Sequence, residues 1–333
     1  MHIHYVTSAS DLSFLYHCYI PSKYLPRFDG VKVTISSYPG FVEEENARKS
    51  DVVVLQCQTK NSVFQFMKKA SDKVFIYDID ASLWGLYSGR FNGRFWEKGH
   101  LRVIKKFMDF CHGVTVHSSS LYGLLVERFP ELKEKIYLLP PLVDFEKSQV
   151  RKRCSSSIRI GWQGLPFDFK MSEHVAHAVA QVIRGGYDVK AVWFGFLPSA
   201  LKGLKWWEWE YYAWPGVENF YDVLGSLGLD IGLLPVDPEM HDGELVFRRL
   251  LDYAMFKVAV VATNVESLSG AVGCFYGVDL SNKLNKWRRS IMDLLENEGM
   301  RSELSERLYE FALQFDASKR VGEWLEVYKE ISR

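Results

Sequence analysis

Four charged residues with the chemistry of a ligand site stand close together in the second half of the chain. Glu244 and Asp252 are eight residues apart, so on a helix they lie about two turns apart on much the same side. Arg248 and Arg249 fall between them. Carboxylates accept hydrogen bonds from sugar and ribose hydroxyls, while guanidinium groups and helix amides bind phosphate. Together the four residues indicate a site for a nucleotide sugar.

The segments around these residues predict how they are positioned. Apolar runs at 231–235 and 258–262 predict two buried strands, and the pattern at about 245–256 predicts a helix between them. Nearly continuous apolar strands joined through a helix are typical of a parallel sheet that helices cover. Ligands of such sheets bind beyond the carboxyl ends of the strands. The loop 235–244 lies at that end, which places the four charged residues beside a binding crevice.

The rest of the chain also alternates between strands and helices. In the first half, apolar runs predict strands at 3–6, 31–35, 51–55, 74–77, 113–116 and 136–139. The second half adds predicted strands at 158–162 and 189–194, and helices at 286–296, 301–315 and 323–331. We expect 265–280 to be irregular and the Trp-rich run 206–214 to pack between sheet and helix, with a partly exposed rim. This alternation predicts a doubly wound α/β fold.

The length of 333 residues is large for one hydrophobic core and suits two domains. A polar, basic and serine-rich stretch separates the halves and is typical of a linker. The predicted division has a first domain, a linker, a second domain and a last helix that packs back on the first domain. Their bounds are 1–145, 146–157, 158–315 and 316–333.

Composition excludes several classes of protein. Basic and acidic residues number 41 each, so the whole molecule is no polyelectrolyte binder. The five cysteines are odd in number and contain no Cys-x-x-Cys, which argues for reduced thiols and against a zinc site or a disulfide framework. No stretch has the pattern of a signal peptide or of a membrane span. These features predict a cytoplasmic globular protein.

The segment with the four charged residues resembles the donor-binding segment of GT-B-fold glycosyltransferases of the family 4 type (glycosyl transferases group 1). That family carries two acidic residues separated by seven others, followed by an apolar strand. The resemblance implies that Glu244 contacts the donor sugar, that Asp252 binds the ribose and that Arg249 contacts the diphosphate. Two departures are visible: the second acid is Asp in place of Glu, and 257–259 replace the family's Gly-x-Pro.

A second resemblance opens the second half of the chain. The stretch 158–164 ends in Gly161-x-x-Gly164 and is similar to the family's "I-G-W-x-G" turn. Glycine is the residue that close approach of the backbone to a ligand requires. The resemblance therefore implies that Gly164 meets the diphosphate, with Lys170 within reach of the phosphates and Arg248 on the same donor side.

Asp78-Ile79-Asp80 follows a predicted strand and has three interpretations. Asp-x-Asp is also the metal-binding signature of the other glycosyltransferase fold, GT-A, where it holds a divalent cation. The favoured interpretation is a resemblance to the "Y-[DE]-I-D-D-x-L-W" stretch of a GT-B subgroup. It implies that Asp80 is a base for the acceptor hydroxyl or orients it, with Asp78 on the acceptor side. Alternatively, an Asp caps the next helix. His117, after the strand 113–116, is a further candidate acid or base.

A run of basic residues forms a possible acceptor surface. At intervals of four stand Arg90, Arg94, Lys98, Arg102 and Lys106, and the window 90–106 has a net charge of +5. On a helix these residues form one stripe opposite an apolar face. The stripe is either a solvated helix face or a ledge for a phosphate-bearing acceptor. Such an acceptor is a nucleic acid, a lipid-linked phosphate or an anionic membrane.

These features and resemblances together predict the GT-B fold, with two Rossmann-like doubly wound domains that face each other across a cleft. The expected activity is transfer of a hexose from a nucleotide-diphosphate sugar, a UDP-sugar in the first instance, to a hydroxyl of a saccharide or lipid-linked sugar. Asp80 and Glu244 are the predicted catalytic residues, and no metal or cofactor is required because positive groups stabilise the leaving nucleotide. Alternatives are a phage-type DNA glucosyltransferase that acts on a hydroxymethylated base, a non-catalytic binding module for nucleotide sugars or nucleic acid, and a nucleotide-sugar epimerase.

Overall fold

The computed structural model describes residues 1–36, 41–79, 98–149, 157–164, 169–236 and 243–333. The chain divides into two units. Unit 1 contains Met1–Asp144 and Phe315–Arg333, and unit 2 contains Phe145–Gln314. The end of the chain therefore belongs to the same unit as its beginning.

Unit 1 is built on a parallel sheet of six strands in the order β2-β1-β3-β4-β5-β6. The strands are β1 His2–Thr7, β2 Lys32–Ile35, β3 Val52–Gln56, β4 Val74–Asp78, β5 Gly113–Val116 and β6 Ile136–Leu138. The chain passes from β1 outward to β2 and then returns to place β3 on the other side of β1. This reversal is a topological switch point, and it opens a crevice at the carboxyl ends of β1 and β3.

Unit 2 has a second parallel sheet, in the order β12-β11-β10-β7-β8-β9. Its strands are β7 Ile158–Gln163, β8 Val189–Phe194, β9 Trp209–Tyr212, β10 Ile231–Leu234, β11 Ala259–Thr263 and β12 Tyr276–Val278. Numbered within the unit, the order is 3-2-1-4-5-6, the order of dinucleotide-binding sheets. The switch point therefore lies between β7 and β10.

Two edge strands of unit 2 differ from the expectation. The segment 265–280, expected to be irregular, contains β12 and a 3₁₀ helix at Glu266–Ala271. Within the Trp-rich run, Trp209–Tyr212 forms the strand β9, whereas the expectation is a segment that packs between sheet and helix. Edge strands pair on one side only and are half-exposed, so they lack the continuous apolar run that predicts a central strand.

Helices follow most strands in both units. They are α1 Leu12–Phe14, α2 Ile20–Tyr24, α3 Glu44–Lys49, α4 Asn61–Lys69, α5 Lys98–Phe110, α6 Ser119–Arg128, α7 Phe169–Arg184, α8 Phe220–Ser226, α9 Gly243–Met255, α10 Leu284–Glu296, α11 Glu298–Ala312 and α12 Ala317–Ile331. A π-helical turn, Leu15–Tyr19, joins α1 to α2. Among the described residues, four helices begin at a capping side chain that accepts a backbone N–H: Asp11, Ser118, Asn297 and Asp316.

Apolar helix faces cover both sheets. On α5 the predicted apolar face is confirmed, because Ile104, Phe107 and Met108 are buried in the core of unit 1. The core of unit 2 contains the buried tryptophans Trp162, Trp193 and Trp287, and the indole N–H groups of Trp193 and Trp287 have hydrogen-bond partners. For example, Trp193 Nε1 donates to Ser172 Oγ at 2.9 Å. None of the described helices has the length and apolar character needed to cross a bilayer.

The last helix, α12, packs against unit 1. Tyr328 and Tyr5 share a hydrogen bond between their buried hydroxyl groups at 3.1 Å. Trp324 Nε1 donates to the Pro140 carbonyl oxygen at 3.0 Å. Tyr328 and Trp324 are both fully buried, so α12 is part of the core of this unit.

His4 in β1 links the stability of unit 1 to pH. Its ring nitrogens hydrogen-bond Thr34 Oγ1 at 2.8 Å and Ser36 Oγ at 3.0 Å. Burial lowers the pKa of His4 from 6.5 to about 4; the Glu43 carboxylate opposes this shift and His2 adds to it. Between these two pKa values the unfolded chain binds a proton that the folded chain does not. Stability therefore falls as the pH falls through this window.

We expect the wild type to lose about 2 kcal/mol more than His4→Gln between neutral pH and about pH 4.5. Urea unfolding of both proteins at the two pH values measures this difference. Comparison with the variant removes the contribution of all other titrating groups. Equal losses in the two proteins would contradict the assignment to His4.

Candidate functional site

The switch point of unit 2 is formed by the ends of β7 and β10. Gln163 is the last residue of β7, and Gly164 follows it. The Gly164 N–H donates to the carbonyl oxygen of Phe194, the last residue of β8, at 3.1 Å. This hydrogen bond holds the turn after β7 against the neighbouring strand end. The turn therefore lies at the edge of the sheet where ligands of this fold bind.

Helix α9 is joined to this edge by Tyr253. Its hydroxyl accepts the Gln163 N–H at 3.0 Å and donates to the Leu233 carbonyl oxygen at 3.3 Å. One side chain thus connects α9 to both strands of the switch point. Burial raises the pKa of Tyr253 well above its ordinary value, so the hydroxyl stays protonated and keeps both bonds.

Asp252, the predicted ribose ligand, lies beside Tyr253. Its Oδ1 accepts the Tyr221 hydroxyl at 3.0 Å and its Oδ2 accepts the Gln163 side-chain amide at 3.4 Å. Only 1% of Asp252 is exposed. The structure therefore brings Asp252 and Gly164 to the same edge of the sheet, since Gln163 precedes Gly164.

The other charged residues of α9 are also buried. Glu244 is the second residue of the helix, and its Oε1 lies 3.5 Å from Nη2 of Arg248, one turn along. Exposed fractions are 5% for Glu244, 1% for Arg248 and 4% for Arg249. These charged residues of α9 therefore do not form a solvated helix face. Buried ionised groups carry a large desolvation cost and cluster at functional sites.

The two remaining donor predictions, Gly164 and Lys170, have different surroundings. A Cβ at Gly164 would overlap the Trp162 ring, so packing within unit 2 itself requires glycine there. Glycine at this position is thus required by packing as well as by the predicted approach of phosphate to the backbone. Lys170 is the second residue of α7, and its side chain is exposed.

Gly195 completes the turn at this edge. It follows β8 with a φ of 99°, and a Cβ there would overlap the Gly164 carbonyl oxygen. Gly195→Ala combines strain at positive φ with this overlap. We expect it to lower the free energy of unfolding by about 2 to 3 kcal/mol.

Gly186→Ala is the matched control for Gly195→Ala in urea unfolding. Gly186 has a φ of 93°, yet a Cβ there meets nothing within 4 Å. It should therefore show the positive-φ cost alone, about 1 kcal/mol. If both variants lower the free energy of unfolding equally, the overlap with the Gly164 carbonyl oxygen contributes nothing to the cost.

Unit 1 contains a buried cluster around Asp78, the last residue of β4. Asp78 Oδ1 accepts from His117 Nε2 at 2.7 Å and from Thr115 Oγ1 at 2.6 Å. Its Oδ2 accepts from His17 Nδ1 at 2.8 Å. The two imidazole rings meet edge to face with centroids 4.3 Å apart, and Trp324 of α12 lies over His117 at 4.7 Å.

The topology of unit 1 explains this cluster. Asp78 and Thr115 lie on β4 and β5, which are neighbours in the sheet. His117 follows β5, and His17 comes from the π-helical turn after β1. All of them meet at the carboxyl-end edge of the sheet, where the crevice of this unit lies.

The cluster fixes the chemical state of its members. Burial alone would raise the pKa of Asp78, but His117 and His17 outweigh burial and hold that pKa far below its ordinary value. The ionised carboxylate accepts an N–H from each ring, through His17 Nδ1 and His117 Nε2. Asp78 therefore orients two imidazoles, the side chains that most often act as general acid or base.

The predicted basic stripe is described only in part. Asp80, Arg90 and Arg94 lie outside the described residues, as does the side chain of Lys98. Arg102 is exposed on α5. Lys105, beside the stripe, forms ion pairs with Asp109 and, at 3.0 Å, with Glu131.

Four polar residues at these edges were not identified from the sequence: His17, Gln163, Tyr221 and Tyr253. A usable signal existed for Gln163, because it is a polar residue at the end of an apolar strand, like Asp78. No such local signal marks His17, which lies in a helical turn far from Asp78 in sequence. Tyr253 directly follows a predicted ligand, but its role depends on its contacts with two strands.

Neither protein-family models nor curated proteins gave a match to this chain. Solved structures match over almost all of it. HepE of Anabaena in complex with UDP-glucose has a TM-score of 0.72 at 12% identity, covering 98% of this chain and 99% of that chain. Sucrose-phosphate synthase from Thermosynechococcus elongatus has 0.69 at 10%, covering 99% of each chain. A glycosyltransferase from Rickettsia africae has 0.65 at 13%, covering 99% and 98%.

Identity of 10 to 13% leaves the fold as the shared property. The fold prediction is confirmed: the chain has the GT-B fold, an α/β architecture of two Rossmann-like units, each on a parallel sheet of six strands.

Proposed function

We propose that this chain is a glycosyltransferase that moves a sugar from a nucleotide-diphosphate sugar, a UDP-sugar in the first instance, to a hydroxyl acceptor. One observation carries the proposal: two carboxylates and two guanidinium groups are buried on α9, which Tyr253 joins to the switch point of unit 2. Such sites suit a ligand that has both hydroxyls and phosphates. The structural neighbour HepE was crystallised with UDP-glucose, which supports the choice of donor.

The donor roles follow from charge and position. Asp252 accepts from the ribose hydroxyls, and Glu244 accepts from hydroxyls of the transferred sugar. The diphosphate lies at the backbone of Gly164, with Arg249 and Lys170 supplying positive charge. Arg248 holds Glu244 in place, since it lies one helical turn away and contacts the carboxylate.

Transfer breaks the bond between the anomeric carbon and the diphosphate oxygen, and it forms a bond from that carbon to the acceptor oxygen. The nucleoside diphosphate leaves with the electron pair, which nearby positive groups stabilise. The acceptor proton passes to a base. Asp80 remains the predicted base, and Asp78 acts on the acceptor side by orienting the His17 and His117 imidazoles.

A thermal-shift screen of UDP-, GDP- and ADP-sugars tests the donor proposal. A ligand at about 100 times its Kd stabilises the folded state by about 2.7 kcal/mol. We expect a UDP-sugar to raise the Tm and Asp252→Ala to remove the rise. Absence of a shift with every nucleotide sugar would overturn the proposal.

Product analysis separates the other functions. An enzyme releases some nucleoside diphosphate from the donor even without an acceptor, whereas a binding module releases none. An epimerase converts the nucleotide sugar alone into its epimer, without an acceptor. Release of nucleoside diphosphate that a saccharide acceptor accelerates is the expected result.

The acceptor is proposed to be a saccharide or lipid-linked sugar. The DNA alternative depends on the basic stripe, of which Arg102 and Lys106 are described and exposed. A DNA-acceptor enzyme should bind duplex DNA with an affinity that falls steeply with salt, and should flip the target base out of the stack. Unchanged DNA binding in the variant Arg94→Glu with Arg102→Glu would exclude the stripe as the binding surface.

A further inference from the structure

The turn before β9 carries two tryptophans that project into solvent. Trp206 is 80% exposed and Trp207 is 51% exposed, whereas Trp162, Trp193 and Trp287 are buried. The two exposed rings meet edge to face, with centroids 5.6 Å apart. Large apolar surface that stays in water marks a contact site when it is contiguous. We call Trp206 and Trp207 the indole tip.

The charged groups around the indole tip leave it positive. Lys202 and Lys205 are exposed, and Lys205 Nζ lies 5.2 Å from the centroid of the Trp207 ring. Of the neighbouring acids, Glu210 forms an ion pair with Arg159 and Glu208 keeps its charge, so Lys202 and Lys205 outnumber the unneutralised acids. Glu208 accepts the Lys205 backbone N–H at 2.7 Å, and Glu210 accepts from the Arg159 guanidinium at 2.7 Å.

The geometry points to a bilayer contact, and we propose that the indole tip inserts into the headgroup region of an anionic membrane. Indoles favour the boundary between water and hydrocarbon because they have a large apolar body and a polar N–H. Lys side chains extend along apolar surface to reach lipid phosphates, and anionic lipids attract them. Lys202 and Lys205 therefore complement the charge of that surface.

The ring arrangement favours lipid over a saccharide. A sugar ring stacks on a flat aromatic face, but the planes of Trp206 and Trp207 are 88° apart and form no common platform. Insertion at the boundary between lipid headgroups and acyl chains does not require the two rings to be coplanar. A saccharide or a protein partner is thus an alternative outcome of the test.

The position of the indole tip leaves the proposed donor site open. The tip precedes β9, so it lies at the amino end of that strand. The switch point lies at the carboxyl ends of the parallel strands of unit 2, which is the opposite end of these strands. Membrane contact would therefore not cover the crevice of this unit. The proposal does not depend on sugar transfer.

Cosedimentation of the full chain with vesicles tests the proposal. We expect binding to vesicles of phosphatidylcholine mixed with phosphatidylglycerol, and weaker binding to phosphatidylcholine alone. The double variant Trp206→Ala with Trp207→Ala should reduce binding at least about tenfold. Lys202→Glu with Lys205→Glu should remove the preference for the anionic vesicles.

Matched controls keep the result specific. Leu280→Ala removes another exposed apolar side chain of unit 2, 54% exposed, and should bind vesicles like the wild type. The tip variant should keep the wild-type Tm, because its side chains face solvent. Wild-type binding by the tip variant would overturn the proposal. Failure of the wild type to bind any vesicle would also overturn it. Binding of a soluble polysaccharide through the indole tip, without binding of vesicles, would indicate a saccharide partner instead.

Discussion

Asp78→Asn is expected to lower the free energy of unfolding by about 3 to 5 kcal/mol, because the Asp78 carboxylate is buried and accepts from three buried donors. Donors from His17, His117 and Thr115 all point at this carboxylate. An amide offers one acceptor oxygen, and its NH₂ group would face an N–H or O–H donor. At least one buried donor would then lose its partner.

Urea unfolding of Asp78→Asn and Thr115→Val measures this effect. Thr115→Val removes one donor and leaves the carboxylate, so we expect a loss of only about 1 to 2 kcal/mol. A cost for Asp78→Asn no larger than that of Thr115→Val would show that the two imidazoles contribute nothing.

The stability of Asp78→Asn should also depend on pH differently from that of the wild type. A carboxylate whose pKa is depressed in the folded state contributes stability that is present above its unfolded pKa and is lost as the pH falls. The pKa of Asp78 is held far below its ordinary value. Below about pH 4, therefore, wild-type stability should fall more steeply than that of Asp78→Asn. Parallel pH curves for the two proteins would contradict this.

Glu244→Gln is expected to lower the rate of sugar transfer by about 10² to 10³, the range for removing one preorganised transition-state contact. The amide keeps the size of the side chain but loses the charge that contacts Arg248 and that is proposed to accept from the donor sugar. The loss should appear mainly in kcat, because the contact strengthens as charge develops at the anomeric carbon.

Release of nucleoside diphosphate, with and without acceptor, measures this effect. Glu298→Gln is the matched control, since Glu298 is also an acid in the first turn of a helix of unit 2 but is exposed. It should keep full activity. Binding of the donor by both variants in the thermal-shift assay separates lost chemistry from lost binding. Wild-type turnover by Glu244→Gln would remove Glu244 from the site.

Central strands could be predicted because they are buried on both faces. The expected bounds 113–116 and 189–194 coincide with β5 and β8. At the edges of unit 2 the same reasoning fails, and β12, three residues long, lies in the segment 265–280 that is expected to be irregular. Short edge strands are held by pairing with a neighbour, and this pairing leaves no periodic pattern in the local sequence.

Helix α9 shows what local spacing can and cannot determine. The spacing of Glu244 and Asp252 predicted a helix with two acids on much the same side, and the helix is present. Whether that side faced water or the sheet could not be read from charges. The contacts of Tyr253 with β7 and β10 decide it, and they join residues 20 and 90 positions apart.

Periodicity and residue type are local properties, so residue order along the chain was enough to predict two doubly wound α/β units, their central strands and the charged residues of α9. Which strand ends are neighbours depends on the tertiary structure. His17 and Asp78 are 61 residues apart and share a hydrogen bond because the ends of β1 and β4 open on the same edge of one sheet. Strand order arises from the crossover connections and from packing. No spacing along the chain could therefore have indicated that the Asp78 carboxylate lies between two imidazoles.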